Sequence, residues 1–204
     1  MLKIKTSMLY NRDMKLLMHM CCSNCSLYPL KSLLSKGIDV KGLWFNPNIH
    51  PEEEYNRRLD SLGRLKDLWA LDIEFIDHYG KDEFMRKNRN DEKRCIRCYS
   101  MRLEETAIIA KKMGLDGFTT TLLVSPYQKF DFIVSIGMEL QRIYAIPFFV
   151  EDFRVGYRQN IGLSKELGLY RQKYCGCLYS LEEAEKRKGK IKGVSQKSQD
   201  LLIR

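Results

Sequence analysis

Apolar and polar positions along this chain fall into blocks that alternate between strand and helix character. Met14 to Met20 is a nearly continuous apolar run that reads as a buried strand. It gives way to a helix over Ser26–Ser35, closed at Lys36-Gly37 by a residue suited to the left-handed cap position. Val40 to Phe45 reads as a second strand. The loop Asn46-Pro47-Asn48-Ile49-His50-Pro51 follows, with two prolines and two asparagines that oppose regular structure. Pro51 then opens a helix running to about Ala70, with Glu52, Glu53 and Glu54 at its positive end and Tyr55, Leu59, Leu62 and Leu65 facing a core. Ile73 to Ile76 is a third strand ending at Asp77-His78, and residues 81–94 read as a polar, basic, lid-like segment. A helix over Cys98–Met113 is stopped by Gly114, and Gly117 to Leu123 is a fourth strand. Phe130 to Arg142 is helical, Pro147 to Val150 is a fifth short strand, and residues 155–168 are partly helical.

Strands alternating with helices predict an α/β fold: a parallel-sheet, Rossmann-like (nucleotide-hydrolase-like) three-layer sandwich in a single domain. An N-terminal extension (1–13) precedes a catalytic domain (14–185), and a basic tail (186–204) follows it. The 204 residues are enough for a sizeable core, and the apolar share of 44% is that of an ordinary globular protein. No apolar run approaches the roughly 18 residues of a membrane helix, and Met1 to Lys15 lacks the marks of a secretory signal. A cytoplasmic chain with no membrane partner is therefore expected.

That compartment changes the meaning of the seven cysteines. In a reducing cytosol, clustered cysteines serve as metal ligands or redox centres more often than as disulfides, and an odd count forbids complete internal pairing. They come in three tight groups: Cys21, Cys22 and Cys25; Cys95 and Cys98; Cys175 and Cys177. The first group lies where a strand hands over to a helix, a position whose N–H groups and dipole favour thiolates. One structural zinc takes four ligands and leaves three thiols unexplained. An iron–sulfur cluster also takes four, and its surplus can serve a second metal or direct chemistry. A dithiol oxidoreductase is the third reading. Adjacent Cys21-Cys22 can point one side chain to each of two centres. Ligands of a parallel sheet sit beyond the carboxyl ends of its strands, so these loops, Asp77, His78, Ser125–Tyr127 and Asp152 are expected along one edge. Asp77 and Asp152 are either helix caps or hard oxygen ligands suited to a mononuclear iron with open positions. His19 is either a core histidine or a functional one.

The net charge of +9 points to a polyanion, nucleic acid first, although a merely solvated basic surface has the same composition. Basic residues concentrate around the middle cysteine pair (Arg86, Lys87, Arg89, Lys93, Arg94, Arg97) and after the last pair (Lys186, Arg187, Lys188, Lys190, Lys192).

Several stretches together carry a family resemblance: His19-Met20-Cys21-Cys22-Ser23-Asn24-Cys25, Phe45-Asn46-Pro47-Asn48-Ile49-His50-Pro51, Arg94-Cys95-Ile96-Arg97-Cys98-Tyr99-Ser100-Met101-Arg102-Leu103, Thr119 to Tyr127, Asp152-Phe153-Arg154 and Tyr170 to Cys177. In this order, over residues 14 to 182, they resemble the cobalamin-independent epoxyqueuosine reductases. Ser23-Asn24 departs from the Ala-Pro usual there.

The resemblance implies the last step of queuosine synthesis, reduction of the epoxide of epoxyqueuosine at the wobble position of transfer RNA. It also implies a [4Fe-4S] cluster with an adjacent mononuclear iron, recharged by an external, ferredoxin- or flavodoxin-like electron donor. Under this reading Cys22, Cys25, Cys95 and Cys98 lean towards the cluster, while Cys21, Cys175, Cys177 and Asp152 or Asp77 lean towards the single iron. Cys21, Asp152 and Tyr127 are the candidate catalytic residues, with Tyr127, His19 and Lys173 as unranked proton donors. Tyr99, Tyr127 and Phe153 are candidates to stack on the base; Arg97, Arg102, Arg154, Arg171 and the tail lysines are candidates to follow phosphates. The competing readings are an ATP-dependent transfer RNA thiolation enzyme, disfavoured because cysteines occupy the place of a pyrophosphate loop, and a zinc-stabilised RNA-binding module.

Overall fold

The structure is a computed structural model that describes residues 14–187 and residue 189; the expected extension 1–13 and most of the basic tail lie outside the described residues. Four strands, β1 (Lys15–His19), β2 (Asp39–Trp44), β3 (Ile73–Phe75) and β4 (Gly117–Thr120), form one parallel sheet in the order β3-β2-β1-β4. Buried on both faces, such a sheet needs near-continuous apolar strands. Leu16, Leu17 and Met18 of β1, Leu43 and Trp44 of β2 and Phe118 of β4 are all excluded from solvent.

The helices are α1 (Ser23–Ser35), α2 (Glu52–Trp69), α3 (Lys81–Lys87), α4 (Arg94–Lys112), α5 (Phe130–Tyr144), α6 (Tyr157–Glu166) and α7 (178–187). Right-handed crossovers fix their placement. Stepping from β1 to β2 to β3 lays α1 and α2 on one face, and returning from β3 to β4 lays α4 on the other. The packing agrees: α1 contacts α2 and α6, whereas α4 contacts α5. Gly156 allows the close approach of the first set, because a Cβ there would meet the Tyr28 ring at 2.0 Å. The direction reverses between β1 and β4, which makes the loops after these two strands the topological switch point. Their ends are level, with His19 opposite both Leu43 and Thr120.

Three boundaries differ from expectation. The fifth strand over Pro147–Val150 is reduced to one parallel bridge, Phe118 to Phe148, in which Phe118 N donates to the Pro147 carbonyl and Phe149 N donates to the Phe118 carbonyl. The fourth strand stops at Thr120, whose hydroxyl accepts from Leu122 N (3.1 Å) and turns Thr121–Val124 into a 3-10 helix. The segment 81–94 contains α3, anchored by buried Phe84. Among the described residues no helix is long and apolar enough to cross a membrane.

Candidate metal centre

Both cysteine-bearing helices begin earlier than apolar periodicity indicates. Cys22 is the N-cap of α1, its sulfur accepting from Cys25 N at 3.3 Å, which leaves Cys25 in the first turn. Cys95 lies in the first turn of α4 and Cys98 at the start of the second, three apart and so on one face. The third pair sits in a turn between α6 and α7. Gly176 there has φ 150°, a conformation that side chains rarely adopt.

These loops close on one cleft of about 610 Å³ at the switch point, lined by Cys21, Cys25, Cys95, Cys98, Cys175 and Cys177. All seven cysteines are free. The sulfurs of Cys21, Cys22 and Cys25 lie within 4.8 Å of one another and can hold a metal ion. Gln172 straddles two of them: its Oε1 accepts from Cys22 and its Nε2 donates to Cys25, both at 3.2 Å. Thr121 accepts from Cys21 N at 3.1 Å, and its hydroxyl reaches the Cys21 sulfur at 3.4 Å. Hydrogen bonds from Cys22 and Cys25 hold the Cys21 thiol well below its ordinary pKa, while those of Cys22 and Cys25 are raised, the former first by burial and the latter first by the hydrogen bond to Cys21.

Cys98 is pushed up to about 12, chiefly by burial, with Cys175, Cys177 and Cys95 adding to the rise. Cys175 accepts from Gln128 Nε2 at 3.2 Å. The third turn is tied to α2 by Arg58, which donates to the carbonyls of Cys175 (2.9 Å) and Tyr174 (3.0 Å). Arg58 is itself neutralised by Glu54 at 2.7 Å, and Glu54 accepts from the Tyr170 hydroxyl.

The aspartates are placed elsewhere. Asp77 accepts from the Tyr55 hydroxyl (2.9 Å), which also takes the Trp44 indole N–H, and Asp152 caps Arg154 N and pairs with that guanidinium at 2.6 Å. Neither lines the cleft. His19 is fully buried between Thr120 and Asn46 and held down to about 4, first by burial and then by the Arg102 charge, so it is neutral. Tyr127 is 80% exposed at the cleft mouth, edge-on to Tyr157. Tyr99 also lines the cleft but is buried, its hydroxyl donating to Gln128 Oε1 at 2.6 Å.

Two of the substrate candidates are corrected. Phe153 is completely buried under the 3-10 turn Phe153–Gly156 and offers no face to a base. Arg102 is 1% exposed and cannot reach a phosphate on the surface. Arg154 stacks over the Phe130 ring at 4.2 Å, whereas Arg171 is exposed on the cleft wall together with Lys173 and Arg187. Sequence reasoning missed Gln172, Gln128 and Arg58, whose positions relative to the thiols arise only from the tertiary fold. It also passed over the side chains of Asn24 and Asn48. Both line the cleft, and the Oδ1 of each is buried without a protein hydrogen-bond partner.

A parallel α/β sheet that gathers its thiols at the switch point, beneath a basic rim, defines a protein of Rossmann-like architecture with a thiol-lined cleft suited to metal. More specifically, the chain belongs to the family described as epoxyqueuosine reductase QueH, whose sequence model matches residues 16–183. It is 36% identical over 186 residues to the epoxyqueuosine reductase QueH of Thermotoga maritima, covering 86% of this chain and 94% of that one. It is 35% identical over 167 residues to that of Dehalococcoides mccartyi (81% and 92%). The fold is similar to the U34-tRNA thiolase NcsA from Methanococcus maripaludis with its [4Fe-4S] cluster, with a TM-score of 0.54, 12% identity, and coverage of 91% of this chain and 68% of that one.

Proposed function

We propose that this chain reduces the epoxide of epoxyqueuosine in transfer RNA to the alkene of queuosine, working at a thiolate-held [4Fe-4S] cluster with an additional iron. The observation that carries the reading is the gathering of all three cysteine loops at one cleft of a chain in this family. Removing an epoxide oxygen as water takes two electrons and two protons. When bound, iron of these two kinds supplies single electrons and Lewis acidity. The donor set fits: the sulfurs are soft, four of the seven (Cys21, Cys22, Cys25 and Cys98) are buried, and they are more numerous than one centre needs.

The 4.8 Å cluster of the Cys21, Cys22 and Cys25 sulfurs and the influence of Cys95, Cys175 and Cys177 on Cys98 favour grouping the donors as that trio on one side and Cys95, Cys98, Cys175 and Cys177 on the other, rather than by the sequence-based division. Asp77 and Asp152 are each already hydrogen-bonded away from the cleft, so each would have to turn to serve as an oxygen ligand. Gln172 and Thr121 orient the first sulfur group. Tyr127 offers an exposed ring for the base of an extruded nucleotide. The orphan carbonyl oxygens of Asn24 and Asn48 accept from hydroxyl or amine donors of the modified base. Lys173 and Tyr127, at the mouth, deliver protons; neutral, enclosed His19 does not. Arg171, Lys173 and Arg187 take the phosphates. A small ferredoxin- or flavodoxin-like protein supplies the electrons.

The test is anaerobic purification followed by iron and sulfide analysis, and then incubation with epoxyqueuosine-containing transfer RNA and a chemical reductant. Bound iron and sulfide, with queuosine formed in the nucleoside digest, is the expected result. A colourless protein holding only zinc would overturn the reading. The thiolation reading is not favoured, since Cys21 and Cys22 stand where a pyrophosphate loop would lie.

A further inference from the structure

Among the described residues two guanidinium groups are almost wholly removed from solvent, and they are not alike. Arg58 and Arg102 are each 1% exposed. Arg58 has its carboxylate, Glu54. Among the described residues, Arg102 has none. Its Nε donates to the Cys98 carbonyl at 3.1 Å, its Nη2 donates to the Cys98 sulfur at 3.2 Å, and its Cζ lies 5.8 Å from the Tyr99 ring centroid.

An arginine cannot shed its charge in a protein. Enclosing an uncompensated ion is strongly unfavourable even after relaxation. The fold must therefore supply negative charge near Arg102, and no acidic side chain does so. What does surround it is sulfur: the charges that act on Arg102 come from Cys98, Cys175 and Cys21, with Tyr99 after them. These three sulfurs belong to all three cysteine loops. Arg102 thus lies against the Cys98 sulfur, with Cys175 and Cys21 near enough for their charges to act on it, and thiolates there would balance its charge.

We propose that Arg102 is the built-in counter-cation of the metal–thiolate assembly, a positioning residue that sets how readily the assembly accepts an electron. The inference rests on the metal reading of the cleft given above. A hydrogen bond to a ligand sulfur and a fixed positive charge beside it both favour the reduced, more negative state. They raise the reduction potential and so ease electron delivery to the cleft.

The test is a redox titration of the anaerobically purified holoprotein, followed by absorbance and electron paramagnetic resonance, with iron and sulfide content measured in parallel. It compares the wild type with Arg102→Gln, Arg102→Met and Arg102→Lys. Met fills similar space without charge and keeps a neutral variant in hand if Gln does not fold. Each neutral variant is expected to be harder to reduce by at least tenfold in the one-electron equilibrium, which corresponds to a potential about 59 mV more negative. Arg102→Lys is expected to recover most of that shift. Loss of iron from the neutral variants that Lys restores supports the inference equally. Neutral variants with full iron at the wild-type potential overturn it while leaving the functional reading intact. A wild type that holds zinc alone overturns both.

Discussion

Neither ring nitrogen of His50 has a protein hydrogen-bond partner, although the residue is fully enclosed beside Tyr79 and Phe84. Burial, helped by the Lys81 charge and opposed by Asp82, holds it down to about 4 from 6.5. The unfolded chain therefore takes up this proton near pH 6.5, and the folded chain only near pH 4. Above pH 6.5 this proton linkage is negligible; between 6.5 and 4 it destabilises the fold by up to about 1.4 kcal/mol per pH unit. Urea denaturation of wild type and His50→Phe at pH 7 and pH 5 should show a shallower acid loss in the variant. Exposure separates two aromatic residues that the sequence leaves equivalent. Tyr127→Ala should weaken transfer RNA binding with little change in the urea midpoint. Phe153→Ala should lower stability by about 3–5 kcal/mol; an unaltered midpoint would contradict its burial. Residue identity was legible in the chain, but solvent access was not, because it is decided by which distant elements close over each ring.

At the level of elements, α2 acts on the site through one ion pair. Glu54 and Arg58 are a turn apart, both buried, and Arg58 holds the carbonyls of Tyr174 and Cys175. Glu54→Gln leaves the guanidinium uncompensated and should destabilise the protein by about 3–5 kcal/mol, with reduced iron content. The double variant Glu54→Gln/Arg58→Met should lose less stability than Glu54→Gln while still failing to retain iron. Denaturant titration and metal analysis check the two halves of that expectation. The strands and long helices were legible because apolar periodicity marks them. Helix starts were not: a cysteine sulfur caps α1, and Arg94 to Cys98 carry no apolar stripe. The fifth strand was misjudged because Phe148 and Phe149 are buried beside β4 without extending its ladder.

For the whole molecule, the strand order decides the chemistry. The reversal between β1 and β4 places the first cysteine loop against Thr121, and the connections through α4 and α7 bring the other two opposite it. Such meetings, between residues 100 apart for Cys21 and Thr121, are not written in local pattern, although the order of strands and helices implied the edge at which they occur. The net charge of +9 and the exposed Arg171, Lys173 and Arg187 around the cleft predict that affinity for transfer RNA falls steeply between low and physiological salt. A titration with flat salt dependence would remove phosphate contact from the account.

The convergence of the three cysteine turns has a mechanical side as well. They come from the beginning, middle and end of the described chain, so a metal centre shared by Cys95, Cys98, Cys175 and Cys177 would fasten α4 to the last turn in one closed circuit. Metal uptake and completion of folding are then one event, since whatever binds the native state alone stabilises it in proportion to its occupancy. Stripping iron with a chelator should lower the melting temperature and open residues 170–187 to protease well before the sheet is cut. Equal digestion of loaded and stripped protein would mean that the last turn stays clasped without metal.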